Sequence, residues 1–230
     1  MENRLEAFRS LAELFDRHGY NLYLVGGTVR DYLLGYALED MDAVSDATPS
    51  QIMEFLPDVD DTFARLGSLK YKGPDGIKFD ITTLRKESGY TDSRHPNKVI
   101  FVSDLEDDYP RRDFTVNAMY MDKNLKVYDF VNGQKDLKDH VLRMVGNPDQ
   151  RLKEDPLRIL RAIHFHLMYK LTIEKSLWEA MRDRFYLLEN LTDAKIKSEV
   201  KKIDESKADP KMKKEIYEQF DVPNIKGVVK

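Results

Sequence analysis

Apolar residues first recur at helical spacing: Leu5, Phe8, Leu11, Ala12 and Phe15, with Gly19 as a stop, predict a helix. Leu22-Tyr23-Leu24-Val25 predicts a buried strand, Gly26-Gly27 a turn, and Thr28 to Leu34 a short helix closed by Gly35. Asp40 to Val44 predicts a second strand, with Met41 and Ala43 facing inward. Thr48-Pro49-Ser50-Gln51 has the make-up of a helix start: Thr48 as N-cap, Pro49 at the first helical position, Gln51 closing a capping box. Lys70 to Thr83 predicts a hairpin around Gly73-Pro74-Asp75-Gly76. On its second strand Ile77, Phe79 and Ile81 share one face, and Lys78, Asp80 and Thr82 the other.

Lys86 to Lys98 is polar and rich in turn formers, so a mobile loop is expected there. Val99 to Val102 predicts a strand, Asp113 to Tyr120 a helix, and Val127 to Phe130 and Leu142 to Val145 two short strands. After Pro148 the pattern becomes wholly helical, over Leu152 to Tyr169, Ser176 to Leu188 and Lys195 to Glu205. The fold class expected is α/β (α+β): residues 1–146 as a domain with a small mixed sheet, and residues 147–230 as an all-helical domain. Residues after Asp221 are expected to fray.

Composition narrows the chemistry. The 230 residues are 41% hydrophobic and 34% charged, enough apolar content for a core. No apolar run is long enough to span a bilayer and no signal peptide is seen, so no membrane partner is expected. Cysteine is absent, which removes disulfides and thiolate metal sites and agrees with a cytoplasmic setting. The five histidines have no zinc spacing. The net charge of −4 means that nucleic acid would have to be held by local patches, such as Arg111-Arg112, the stretch from Arg151 to Arg161, or the lysines from Lys195 to Lys214.

The most informative pair is Asp40 and Asp42. On a strand, residues i and i+2 point to one face, so the two carboxylates converge. Their repulsion calls for a shared proton or a divalent cation. Asp80, on the polar face of the later hairpin, is either a third carboxylate of that site or a solvent-facing charge on an edge strand. Gly26 and Gly27, between strand and helix, would let backbone N–H groups meet phosphate oxygens, with Arg30 one turn on and Asp31 orienting it. Arg111 and Arg112 suit a triphosphate, being fixed in charge and bidentate. Asp113 and Asn117, four apart, would share a face and contact a ribose.

Glu154-Asp155-Pro156-Leu157-Arg158 opens the long helix, and Asp155 and Arg158 are neighbours on its face. An acceptor beside donors matches the amino group and ring nitrogen of C and A and mismatches U and G, so the pair could select nucleotides without a template. The bland reading is an ordinary i, i+3 ion pair.

Together Leu24-Val25-Gly26-Gly27-Thr28-Val29-Arg30-Asp31, Asp40-Met41-Asp42, Arg111-Arg112-Asp113-Phe114-Thr115-Val116-Asn117-Ala118 and Glu154-Asp155-Pro156-Leu157-Arg158-Ile159-Leu160-Arg161 resemble the class II (bacterial-type) tRNA nucleotidyltransferases and poly(A) polymerases, in order and spacing. The resemblance runs from about Leu5 to about Ile203 and implies a nucleotidyltransferase (polymerase-β-like) head and a helical neck. It implies a template-independent enzyme that adds C and A from CTP and ATP to a tRNA 3′ end or another RNA primer. Asp40 and Asp42 would hold two Mg²⁺ ions, with Asp80 beside them. Gly26, Gly27 and Arg30 would hold phosphates, and Arg111, Arg112, Asp113 and Asn117 would lie around the sugar and triphosphate. Asp155 and Arg158 would read the base, with Arg161 on the same helix. Tyr90 to Asn97 resembles the family's flexible loop, which helps switch from C to A addition. Family members continue into body and tail domains, which are expected to be absent here. An A-only polymerase on general RNA and a non-catalytic nucleotide-binding relic are the alternatives. The sequence does not set the oligomeric state.

Overall fold

The computed structural model describes residues 1–90, 96–206 and 208–227. Its contacts divide the chain into two compact units: Met1–Ser88 with Lys98–Gln134, and Gly89–Asn97 with Lys135–Lys230.

The first unit opens with α1 (Glu2–Arg17), β1 (Leu22–Val25), α2 (Gly27–Leu33), β2 (Met41–Ser45) and α3 (Pro49–Phe55). Then come β3 (Val59–Asp60), β4 (Ser68–Lys72), β5 (Lys78–Thr83), β6 (Arg85–Tyr90), whose last two residues belong to the second unit, and β7 (Pro96–Phe101), whose first two do. The short helix α4 (Leu105–Asp108), β8 (Met119–Met121) and β9 (Val127–Asp129) complete it. Seven of these strands form one sheet in the order β3-β4-β5-β2-β1-β8-β9. β2 runs parallel to β5, and the other pairings are antiparallel. The predicted apolar stripe of α1 is buried as a set, and α1 packs on β1. Phe15 meets Phe55 edge-on at 5.0 Å between ring centroids. The capping box of α3 is present, with Thr48 Oγ1 accepting from the Gln51 N–H and Gln51 Oε1 accepting from the Thr48 N–H. Burial of such apolar stripes is the main force holding helix to sheet.

α5 (Gly133–Lys138) and β10 (Val141–Leu142) follow. The second unit then contains α6 (Pro148–Glu154), α7 (Leu157–Tyr169), β11 (Thr172–Ile173), α8 (Lys175–Arg184), α9 (Asp193–Glu205) and α10 (Pro210–Gln219). α7 packs on α9 and α6 on α8, while Phe220 meets Trp178 and Phe185 at 5.1 and 5.4 Å.

Several elements differ from expectation. The helix expected from Leu152 to Tyr169 is broken into α6 and α7, because Pro156 forces Asp155 into an extended conformation (φ −144°, ψ 96°). Lys86 to Lys98 contributes to β6 and β7, which pair as a separate two-stranded sheet. The flexible-loop expectation for Tyr90 to Asn97 falls mostly on residues 91–95, outside the described residues. Asp113 to Tyr120 is not a helix: one 3₁₀ turn, Thr115–Asn117, leads straight into β8. The second unit is not purely helical, since β10 and β11 pair in parallel. α10 went unforeseen because only Ile216 on it is buried, so its apolar period is faint, although Asp209-Pro210 marks its start. Val222 and Ile225 are buried, so the chain past Asp221 is packed rather than frayed as far as Gly227.

Gly133 is fixed by space rather than by conformation. A Cβ there would lie 2.2 Å from the Thr115 carbonyl oxygen, which is backbone and cannot swing away. The Gly133 N–H also donates to Asp129 Oδ1 at 2.9 Å. Gly133→Ala should therefore destabilise the protein by about 2–3 kcal/mol. Urea unfolding checks this, and an unchanged midpoint would contradict the close approach.

Candidate active site

Asp40 ends the loop before β2 and Asp42 lies within it, held by Met41, Ala43 and Val44, each 1% exposed. Buried Thr28, on the first turn of α2, stitches this segment to the glycine turn. Its hydroxyl donates to the Asp40 carbonyl at 3.1 Å and accepts from the Asp42 N–H at 3.0 Å. Gly26 caps α2 at φ +66°, a conformation that suits glycine, and its N–H bonds the Met119 carbonyl on β8 at 3.3 Å. A Cβ on Gly26 would stand 3.9 Å from Arg112 Nη1, so the expected phosphate turn and Arg112 are adjacent.

Asp80 joins this group. β5 lies between β4 and β2, so Asp80 is not on an edge strand, and it stands in register with Asp42 across the parallel pair. Lys70 on β4 donates to both Asp80 oxygens, at 3.0 and 3.2 Å. Burial, then the Asp80 and Asp40 carboxylates, push the Asp42 carboxyl up from 3.8 to about 6, against Arg112 and Lys70, which pull the other way. Among the described residues no three carboxylate or histidine groups are already gathered at metal-holding distance. The donor chemistry nonetheless fits a hard divalent cation: the three side chains offer only oxygen, and their mutual repulsion is what such an ion relieves.

The arginine motif is organised by a residue that the sequence reading missed. Asp108 is fully buried and accepts from Arg111 Nε, Arg112 Nη2 and the Tyr120 hydroxyl, each at 2.8 Å, and from the Arg85 N–H at 3.0 Å. Burial alone would push its carboxyl up, but Arg112 and Arg111 overcome this and hold it well below the usual carboxylate range. Burial holds the Tyr120 phenol above its usual range, and its oxygen also accepts from Arg112 Nε at 3.0 Å. The spacing Asp108, Arg111, Arg112 at i, i+3 and i+4 was the available signal.

Buried Arg30 is bound on both sides. Its Nε reaches Asp31 Oδ1 at 2.9 Å, as expected of an orienting carboxylate, and its Nη1 donates to Asn117 Oδ1 at 2.6 Å. Asn117 Nδ2 in turn reaches Asp113 Oδ1 at 3.4 Å, so these two meet through a turn rather than along a helix face. The structure thus brings together Gly26, Gly27, Arg30, Asp40, Asp42, Asp80, Arg111, Arg112, Asp113 and Asn117 within the first unit.

Asp155, Arg158 and Arg161 lie in the second unit. Asp155 Oδ1 accepts from the Leu157 N–H at 3.1 Å and so opens α7. Arg158 is 6% exposed, donates to the Arg151 carbonyl at 2.7 Å and stands 3.5 Å from Glu154. The guanidinium of Arg161 lies 5.3 Å from the Phe165 ring centre.

Two outcomes follow for the metal-free protein. Because the folded-state pKa of Asp42 is raised, its ionisation costs stability as pH rises from 3.8 to about 6, and the cost stays constant above that. In EDTA, Asp42→Asn should be more stable than wild type by about 1–3 kcal/mol at pH 8 and lose that advantage near pH 4. An advantage independent of pH would show that carboxylate crowding is not its source. Asp108→Asn leaves two buried guanidinium groups short of their counter-charge and should destabilise by about 3–5 kcal/mol, read from the denaturation midpoint.

Residues 22–143 match the family model of the poly A polymerase head domain. The CCA-adding enzyme of Staphylococcus haemolyticus is 38% identical over 197 residues, which are 85% of this chain and 48% of that protein. That of Lactobacillus helveticus is 40% identical over 185 residues, 80% of this chain and 46% of that protein. Among solved structures, the Bacillus stearothermophilus CCA-adding enzyme in complex with CTP matches with a TM-score of 0.76 and 30% identity, over 85% of this chain and 47% of that one. The Thermotoga maritima CCA-adding enzyme complexed with tRNA matches with a TM-score of 0.74 and 30% identity, over 94% and 50%. The chain spans about half the length of the curated relatives it matches.

Proposed function

The chain belongs to the class II tRNA nucleotidyltransferase and poly(A) polymerase family and has its nucleotidyltransferase fold, and from that premise we propose that it extends RNA 3′ ends by nucleotidyl transfer, adding C and A to tRNA. The observation that carries this reading is the three-carboxylate group of Asp40, Asp42 and Asp80, tied by Thr28 to a glycine turn with Arg112 beside it. Relatives of similar fold carry CTP, ATP or tRNA in their structures, which supports the same substrates here. The setting would be the cytoplasm, and among the described residues no helix is long and apolar enough to cross a membrane.

Asp40, Asp42 and Asp80 would hold two Mg²⁺ ions, which when bound make the primer hydroxyl a better nucleophile and offset charge on the triphosphate. With no side chains at Gly26 and Gly27, the triphosphate would approach the backbone there, and Arg112, next to Gly26, would supply a donor that cannot lose its charge. Asp108 keeps Arg112 and Arg111 in fixed rotamers, so the binding surface is preorganised. Asn117, held by Arg30 and next to Asp113, presents amide chemistry to the sugar. The 3′-oxygen bonds to the α-phosphorus as the bond to pyrophosphate breaks, and pyrophosphate leaves opposite the attacking oxygen. Asp155 and Arg158 would select C and A through an acceptor beside donors, with U and G leaving buried polar groups unmatched.

The assay is extension of tRNA lacking its CCA end with CTP, ATP and Mg²⁺. Wild type should add CCA, and Asp42→Ala should lose at least about 100-fold in rate, since two of three carboxylates would remain. Long A tails from ATP alone on a general RNA would favour the A-only polymerase. Nucleotide binding without incorporation on any primer would favour the relic. Arg158→Ala should admit UTP and GTP while leaving metal binding within about two-fold, a shift of less than ~0.5 kcal/mol. Continued exclusion of UTP and GTP would refute the base-reading assignment.

A further inference from the structure

The strand order places Asp42 between two surfaces of different chemistry. On the β1 side lie the Gly26-Gly27 turn and Arg112. On the β5 side, β4 and β5 floor a cleft of about 420 Å³ whose walls include both Asp40 and Asp80. Register sets out the charges of this cleft in rows. In one row Asp60 faces Lys70, Lys70 faces Asp80, and Asp80 faces Asp42. The cation of that row is committed, since Lys70 holds Asp80, and Asp60 accepts from the Thr62 N–H and hydroxyl.

The next row is different. Lys72 on β4 stands directly opposite Lys78 on β5. Both are exposed, both line the cleft, and among the described residues neither has an ion-pair partner. Asp58 stands on the same wall, and Asp40 precedes Asp42 by the two residues that separate Lys78 from Asp80. Like charges directly opposite each other on a sheet are unfavourable, so the pair weakens the hairpin unless an anion lies between them.

Nucleotidyl transfer fixes which anion approaches from this side. The attacking oxygen and the leaving pyrophosphate must lie in line on opposite sides of phosphorus. With the triphosphate on the Gly26-Gly27 side, the hydroxyl comes from the β5 side. We propose that Lys72 and Lys78 take a backbone phosphate of the RNA strand being extended, so that the β4–β5 cleft is the path of the primer strand to Asp40 and Asp80. This rests on the transfer reading given above. Lysines suit the task because a point charge holds a phosphate without reading the base, and the primer end changes with each added nucleotide.

The test compares wild type with Lys72→Ala/Lys78→Ala and with a control double, Lys123→Ala/Lys126→Ala, at the β8–β9 end of the sheet. Binding of a fluorescent acceptor-stem RNA lacking CCA is read by anisotropy over a salt series. The cleft double should raise the Kd about ten-fold and flatten the slope of log K against log salt by about 0.7, the value for one phosphate contact on a single strand. The control double should stay within about two-fold, and CTP affinity should be unchanged in both. The melting temperature of the cleft double should not fall, since a repulsive pair has been removed. Equal losses in the two doubles, an unaltered Kd in the cleft double, or no RNA binding by wild type would overturn the proposal. RNA binding without incorporation would sink the transfer reading instead, and the comparison of the two doubles would still decide the cleft. In extension assays the KM for RNA should rise while the KM for CTP stays constant.

Discussion

The Thr28 hydroxyl is the contact on which the arrangement turns. It donates to the peptide before Met41 and accepts from the peptide N–H of Asp42, so one oxygen joins the start of α2 to the start of β2. Each bond contributes only about 1 kcal/mol to stability. Its importance is geometric. The glycine turn and the carboxylate pair come from segments twelve and more residues apart, and they share one rigid bridge. With β2 paired to β5, the same bridge fixes where Asp80 stands relative to that turn.

Asp108 performs the matching task for the basic side. A fully buried carboxylate at the end of α4 gathers Arg111, Arg112, Tyr120 and the Arg85 backbone, which arrive from the 3₁₀ turn after α4, from β8 and from the start of β6. Removing such a charge from water is unfavourable unless every lone pair is matched, and here they are. The basic half is thus internally satisfied before any ligand arrives. What stays unbalanced is the repulsion around Asp42 and the facing lysines of β4 and β5, the places where metal and phosphate chemistry are expected.

Much of this was legible because local pattern and tertiary context agreed. The α1 stripe, β1, the Thr48 capping box and the hairpin around Gly73 to Gly76 are all specified by neighbours in sequence. Asp40 and Asp42 were readable for the same reason, since strand periodicity alone puts them on one face. The failures are places where distant contacts decide. Whether Asp80 lay at an edge depended on β2 joining β5 across an excursion of more than thirty residues, which no local pattern records. Asp113 to Tyr120 has helical spacing, yet pairing of β8 with β1 and β9 draws its end, Met119 and Tyr120, into a strand after a single 3₁₀ turn. Asp108 sat unnoticed in an acidic run, because burial is what distinguishes it from Asp104, Glu106 and Asp107. The break at Pro156 was visible in sequence and was outweighed by the apolar period on either side of it.

That break has a consequence for how Arg158 is held. Arg158 hangs from the carbonyl of Arg151, the penultimate turn of α6, and not from any side chain alone. A peptide oxygen is the same whatever residue carries it. Substitutions at 151 therefore leave the guanidinium's anchor in place, provided that the helix end survives. The position of Arg158, the residue proposed to read the base, is in this way insulated from side-chain exchange at 151. Displacing this guanidinium without replacing Arg158 itself would require moving backbone at the α6–α7 corner.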